Sequence, residues 1–163
     1  MKKFLLALVV LGGAALNSFA QSSEDGGKFS IGFEAGLPVG SAKDAYSSAL
    51  GGSLQYDQPV ADNLFVTITA GYTSLKYKGA GGGSGGVVPV KAGLKYYFSE
   101  GFFGEAQAGA AFFTKKPNSG AAFAYAPGIG YTFAGGFEAG VRYETWSKNG
   151  STSLAALRLA YRF

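Results

Sequence analysis

The chain has 163 residues with no Cys and no His, and 14 Lys plus Arg stand against 10 Asp plus Glu. These counts exclude disulfides and thiolate metal sites, and they remove the commonest metal ligand and general base. The basic excess is too small to point to nucleic acid, whereas 27 Gly, 14 Phe and 10 Tyr point to many short strands and turns.

In chain order the first element is a secretory signal. Lys2 and Lys3 precede the apolar run "FLLALVVL" (4–11), and Ser18-Phe19-Ala20 forms a small-x-small cleavage site. Residues 1–20 therefore read as a signal peptide and 21–163 as the mature domain. The run is too short for a membrane helix, which needs about 20 apolar residues. No Cys follows it, so a lipoprotein anchor is not expected.

The mature chain then alternates large apolar residues with small or polar ones. The segments are 29–38, 49–57, 64–74, 87–98, 102–113, 121–133, 137–146 and 154–163. Strands of about ten residues suit a tilted membrane crossing. The connections "PVADN", "SEG" and "AGG" are short. Those alternating with them, such as "KYKGAGGGSGG" and "TKKPNSG", are longer and richer in Gly and polar residues. That asymmetry is the outer-membrane barrel pattern of short periplasmic turns and longer outer loops.

Residue size decides which face points outward. Phe33, Ile68, Leu94 and Val141 belong to a face carrying nearly all the large residues, while the other face is Gly, Ala, Ser and Thr with a few charges. The interior of an eight-stranded barrel holds only modest side chains, so the large face must meet lipid. The expected fold is an all-β, eight-stranded antiparallel up-and-down transmembrane barrel. Aromatics sort to strand ends as interfacial girdles would, with Phe29, Phe102, Phe137 and Tyr161 among those at one end. Tyr72, Phe123, Tyr143 and Trp146 lie at the other.

Leu157, Leu159, Tyr161 and Phe163 close the chain in alternation and end on Phe. With the strand pattern of 28–163, they resemble the small OmpA/OmpX-type outer-membrane barrels of Gram-negative bacteria. The resemblance implies that these four residues form a C-terminal insertion signal read by the barrel assembly machinery. It carries over no ligand, and no peptidoglycan-binding domain is expected after Phe163.

The charges fall into three groups. Glu24, Asp25, Lys28, Asp57, Asp62 and Glu100 are expected at the periplasmic end. Glu34, Glu105, Glu138 and Glu144 face Lys91, Lys95, Arg142, Arg158 and Arg162 in the lumen. Lys43, Lys76, Lys78, Lys115, Lys116 and Lys148 are loop cations, with Asp44 the acid among them. Mirror pairing about Glu100 sets Lys95 across from Glu105, and Glu138 is expected near Arg158 or Arg162. Such pairing keeps buried charges matched.

Other motifs carry less. Gly81, Gly83 and Gly86 form a G-x-G-x-x-G pattern without a helix signal after it, which favours a loop tip over a nucleotide site. The lumen carboxylates are interleaved with cations in too little space for sugar, which favours ion pairs over glycosidase chemistry. "NGS" (149–151) reads as a turn rather than a glycan acceptor. Pro127, mid-strand, predicts a bulge or a lost hydrogen bond at 126–128, while Pro89 lies near a strand start.

The expected protein is non-enzymatic, with no catalytic, metal or cofactor residues, a filled lumen and a structural or surface-contact role. A narrow porin-like channel is the alternative. An outer-leaflet lipid-modifying enzyme is disfavoured by the absent His. Its expected partners are outer-membrane lipid, lipopolysaccharide and the assembly machinery, and a monomer is expected in the outer membrane after secretory export.

Overall fold

A computed structural model describes residues 26–79, 83–114, 120–148 and 150–163. The expected signal peptide (1–20), Glu24, Asp25, Gly81, Lys115, Lys116 and Asn149 lie outside those residues. The elements are β1 (Lys28–Val39), α1 (Ala42–Ala45), β2 (Tyr46–Ala61), β3 (Leu64–Tyr77), β4 (Ser84–Tyr97), β5 (Phe102–Phe113), β6 (Gly120–Thr132), β7 (Phe137–Ser147) and β8 (Ser151–Arg162).

Each strand pairs antiparallel with the next, and β8 returns to β1, closing an eight-stranded barrel. The seam runs from Ser30 opposite Arg162 to Val39 opposite Ser153. Beyond it, Phe163 N donates to Phe29 O at 2.9 Å and Phe29 N to Phe163 O at 3.3 Å. The final residue is thus part of the closure.

The inner turns follow from local chemistry. Asn63 adopts φ 61° in the β2–β3 turn, a conformation Asn tolerates, and Gly101 takes φ 77° in the β4–β5 turn. At the outer end, α1 packs against β1, β2 and β8 with Ala42 buried.

Several strands run past their expected ends. β2 spans 46–61 instead of 49–57, β3 reaches Tyr77, β4 begins at Ser84 and β8 at Ser151. Leu75 pairs with Gly85 and Lys76 with Ser84, so part of the Gly-rich "loop" is strand. A ladder uses backbone groups and needs no side chain, so Gly residues without alternation still pair. The outer connections therefore shrink to residues such as 78–83 and 148–150, and their contrast with the inner turns is smaller than expected.

Pro127 interrupts the β6–β7 ladder. Pairing passes from Tyr125 opposite Thr145 to Gly128 opposite Arg142 in unchanged register, so the result is lost pairing and not a bulge. The β5–β6 ladder continues through Pro127 opposite Ala106. Pro89 behaves the same way. Because β4 starts at Ser84, Pro89 is mid-strand, and β3–β4 pairing skips from Ala70 opposite Val90 to Thr73 opposite Val87. Each proline thus costs one ladder and spares the other.

Burial is inverted relative to a water-soluble domain. Ile31, Phe33, Leu54, Ile68, Leu94, Ile129, Val141 and Leu159 are exposed, while Thr67, Lys91, Lys95 and Glu144 are buried. A continuous apolar outer surface of this kind suits hydrocarbon and would be a liability in water.

Two inward glycines sit where the neighbouring strand of the β4–β5 ladder comes close. A Cβ on Gly93 would lie 2.1 Å from Ala106 O, and one on Gly109 2.1 Å from Val90 O. Outward Gly104 has nothing nearer than Phe98 Cε1 at 3.9 Å. We expect Gly93→Ala and Gly109→Ala each to destabilise the folded barrel by about 1–3 kcal/mol through overpacking, and Gly104→Ala to be near neutral. Urea midpoints from heat-modifiable gel migration check this ordering.

Candidate functional site

The lumen is built in layers. At the outer end, Leu75, Val87, Leu154 and Trp146 pack with Ala49, Ala111, Ala122 and Ala124, and Tyr46 and Phe113 flank them. The Trp146 and Phe113 rings meet edge to face, with centroids 5.9 Å apart. This is an apolar lid.

Below the lid lies a network of buried charges. Lys91 Nζ contacts Glu144 Oε2 at 2.7 Å. Arg142 Nη2 bridges Glu34 Oε2 at 2.6 Å and Glu144 Oε2 at 2.8 Å. Trp146 Nε1 donates to Glu144 Oε1 at 2.8 Å, which ties lid to network. Arg158 reaches Glu138 at 3.6 Å and Glu34 at 3.9 Å. It also donates to Ser30 Oγ at 3.0 Å. Lys95 Nζ meets Asp57 Oδ2 at 2.7 Å and Glu138 Oε2 at 3.3 Å. Arg162 Nη1 lies 3.8 Å from Glu138 Oε1.

Neutral polar groups fill the side facing β2, β3 and β5. Gln107 donates to Thr69 Oγ1 at 2.8 Å and to Glu105, Thr69 donates to Gln55 at 3.2 Å, and Gln55 donates to Asp57 at 2.8 Å. Toward the short-turn end, the Phe65, Tyr97 and Phe103 rings meet in sequence at steep angles, with centroids 5.6 and 5.5 Å apart. Lys95 Nζ sits 4.6 Å from the Phe103 ring centroid, and Arg162 donates to Tyr97 Oη at 3.0 Å.

One small cavity of about 30 Å³ touches Glu105, Gln107, Glu138, Arg142 and Arg158. Arg142 Nε is the buried side-chain atom without a protein hydrogen-bond partner among the described residues. The cavity has room for a single water molecule.

This arrangement corrects four expectations. Asp57 is not at the periplasmic rim: it is 1 % exposed and is the nearer anion to Lys95. It shares strand parity with inward Ser53 and Gln55, which is the signal that locates it. Trp146 is not in the lipid girdle: it is 2 % exposed and faces inward with Glu144 and Arg142. Lys95 does lie directly opposite Glu105 in the ladder, yet its ammonium turns to Asp57 and Glu138 across the lumen. Glu105 instead accepts from Gln107, and the long Lys95 side chain reaches Asp57 and Glu138 across the narrow lumen. Lys76 is a residue of β3, not of a loop.

Of the other loop cations, Lys43 sits on α1, Lys78 follows β3 with its N–H bonded to Ala45 O at 2.9 Å, and Lys148 lies in the β7–β8 turn. All three are exposed. Leu157, Leu159, Tyr161 and Phe163 all face outward, and Tyr161 packs on Phe137 at 5.1 Å between centroids. Sequence reasoning missed Tyr97, Phe103, Leu75 and Val87 as lumen residues. Parity with Thr67, Lys95, Glu105, Thr73 and Lys91 was sufficient to find them.

The fold is that of the small eight-stranded outer-membrane barrels. The Yersinia pestis outer membrane protein Ail in a phospholipid nanodisc matches with a TM-score of 0.63 at 18 % identity, covering 86 % of this chain and 100 % of its own. Ail in complex with the heparin analogue sucrose octasulfate matches at 0.60 and 21 %, with coverage of 85 % and 99 %. The outer membrane enzyme PagL matches at 0.55 and 18 %, with coverage of 81 % and 98 %. No family model and no curated protein sequence matches this chain.

Glu138 is the hub of the network, since Lys95, Arg158 and Arg162 all converge on it. Glu138→Gln is expected to destabilise the barrel by about 3 kcal/mol or more, because three cations lose their shared anion. Glu105→Gln is expected to cost under about 1 kcal/mol, since an amide oxygen still accepts the Gln107 bond. Equilibrium unfolding of both variants in lipid vesicles measures the difference.

Proposed function

We propose that this chain is a non-enzymatic, monomeric outer-membrane barrel with a closed lumen. Its role is to present cations at the cell surface to polyanions such as lipopolysaccharide phosphates. The observation that carries the closed-lumen part is the continuous fill, from the Trp146 lid through the ion-pair network to the Phe65–Tyr97–Phe103 cluster. The exposed apolar belt supports residence in lipid, and the fold it shares with outer-membrane proteins supports that membrane as the address.

The surface-contact part rests on Lys43, Lys78 and Lys148, with Asp44 the acid on α1 beside them. A similarly folded protein, Ail, has been crystallised with a sulfated sugar. Absence of enzyme activity is supported by the lack of His and by the engagement of the lumen carboxylates with cations and amides. Insertion by the barrel assembly machinery is supported by the outward row Leu157, Leu159, Tyr161 and Phe163 and by the place of Phe163 in the seam.

Planar-bilayer recordings on the purified protein are expected to show no unitary current. Discrete channel steps would favour the narrow-pore alternative. Replacing Lys43, Lys78, Lys115, Lys116 and Lys148 with Gln is expected to weaken binding of sucrose octasulfate several-fold, with the larger loss at low salt. Unchanged binding would contradict the surface-contact role. Unaltered lipid-A mass spectra in cells expressing the protein are the expected outcome for a non-enzyme.

A further inference from the structure

Lys76 differs in its setting from every lumen cation. It lies at the outer end of β3, on the face shared with Ile68 and Tyr72, and so points sideways toward the bilayer. Lys91, Lys95, Arg142, Arg158 and Arg162 each have a carboxylate within 4.0 Å, whereas Lys76 has none among the described residues. Register places Ser48 of β2 on one side of it and Ser84 of β4 on the other. One row lower come Leu50, Ser74 and Gly86. Ser48, Ser74, Lys76 and Ser84, with Leu50 at one edge, line a shallow concavity of about 380 Å³.

We propose that this concavity clasps the phosphate headgroup of an acylated lipid in the outer leaflet. A lysine facing the bilayer at a strand's outer end reaches only the headgroup layer, where phosphate is the complementary anion. The serine hydroxyls supply neutral donors around it. The Tyr72 ring covers Gly86 in the lower row, and Leu50, Tyr72 and Leu54 continue downward as an apolar wall for an acyl chain. The clasp rests on the outer-membrane reading but is separate from the loop lysines, because it holds its ligand from the side and needs the ligand's acyl chains.

The test uses the full mature chain in nanodiscs of a neutral, phosphate-free diacyl galactolipid. These are doped with a bis-phosphorylated acylated glucosamine disaccharide or with its dephosphorylated form. Amide NMR shifts of Ser48, Ser74, Lys76 and Ser84 are followed. The phosphorylated lipid is expected to shift these amides and the dephosphorylated lipid to leave them in place. Lys76→Gln is expected to weaken the apparent affinity roughly tenfold, the scale of one charge-assisted hydrogen bond. Lys28→Gln, an exposed lysine at the opposite end of the barrel, is expected to leave it unchanged. Equal shifts with both lipids, an unaffected Lys76→Gln variant, or equal shifts with soluble sucrose octasulfate would overturn the clasp. Failure of the wild-type chain to give a lipid-inserted, heat-modifiable form would overturn the outer-membrane reading as well. The two failures are therefore distinguishable.

Discussion

Closure of the backbone ladder is the constraint on which the rest of this structure depends. In hydrocarbon an unpaired N–H or C=O has no water to turn to, so a sheet crossing a bilayer must have no edge. Here the requirement is met by pairing β8 with β1 and by tying Phe163 to Phe29 through two backbone hydrogen bonds. Once the sheet is closed, strand alternation divides every side chain between lipid and lumen. The prolines show how much the ladder tolerates. Pro89 and Pro127 each interrupt pairing with one neighbouring strand and leave the other continuous.

A barrel this narrow gives the inward face a volume problem and a charge problem together. The volume problem is met by mixing sizes, with Gly93 and Gly109 where neighbouring backbones come close and Trp146 and Phe103 as large buried fillers. The charge problem is met by matching. Glu34, Asp57, Glu105, Glu138 and Glu144 share the lumen with Lys91, Lys95, Arg142, Arg158 and Arg162. An unmatched member would carry a desolvation cost of several kcal/mol. The apolar lid and the aromatic base flank this network, and the low local dielectric strengthens its hydrogen bonds. The packing that stabilises the barrel is also the packing on which the proposed closed state rests.

Most of the architecture was legible in the residues because strand alternation has a period of two. The strand number, the lipid face and the inward set Glu34, Lys91, Lys95, Arg142 and Arg158 follow from it. Strand ends were less legible, because Gly83, Gly85 and Gly86 pair through backbone alone and leave no alternation to count. Trp146 and Asp57 were misplaced where a residue-type preference, for girdle or for rim, was allowed to outweigh parity. The true partners of Lys95 were beyond sequence reasoning. Register names the ladder neighbour, Glu105, whereas Asp57 on β2 and Glu138 on β7 come within reach only through the barrel's curvature and shear.

The central claim is that the lumen is filled and sealed, and the sole tryptophan of the chain, Trp146, stands in the seal. Its fluorescence in lipid vesicles is therefore the most direct measurement, with acrylamide as aqueous quencher and brominated acyl chains as lipid quencher. A packed lid predicts weak quenching from both sides until the barrel is unfolded. Acrylamide quenching near that of the unfolded chain would show an open, hydrated lumen. Strong quenching by brominated lipid would put Trp146 on the outer face, and either result would contradict the account.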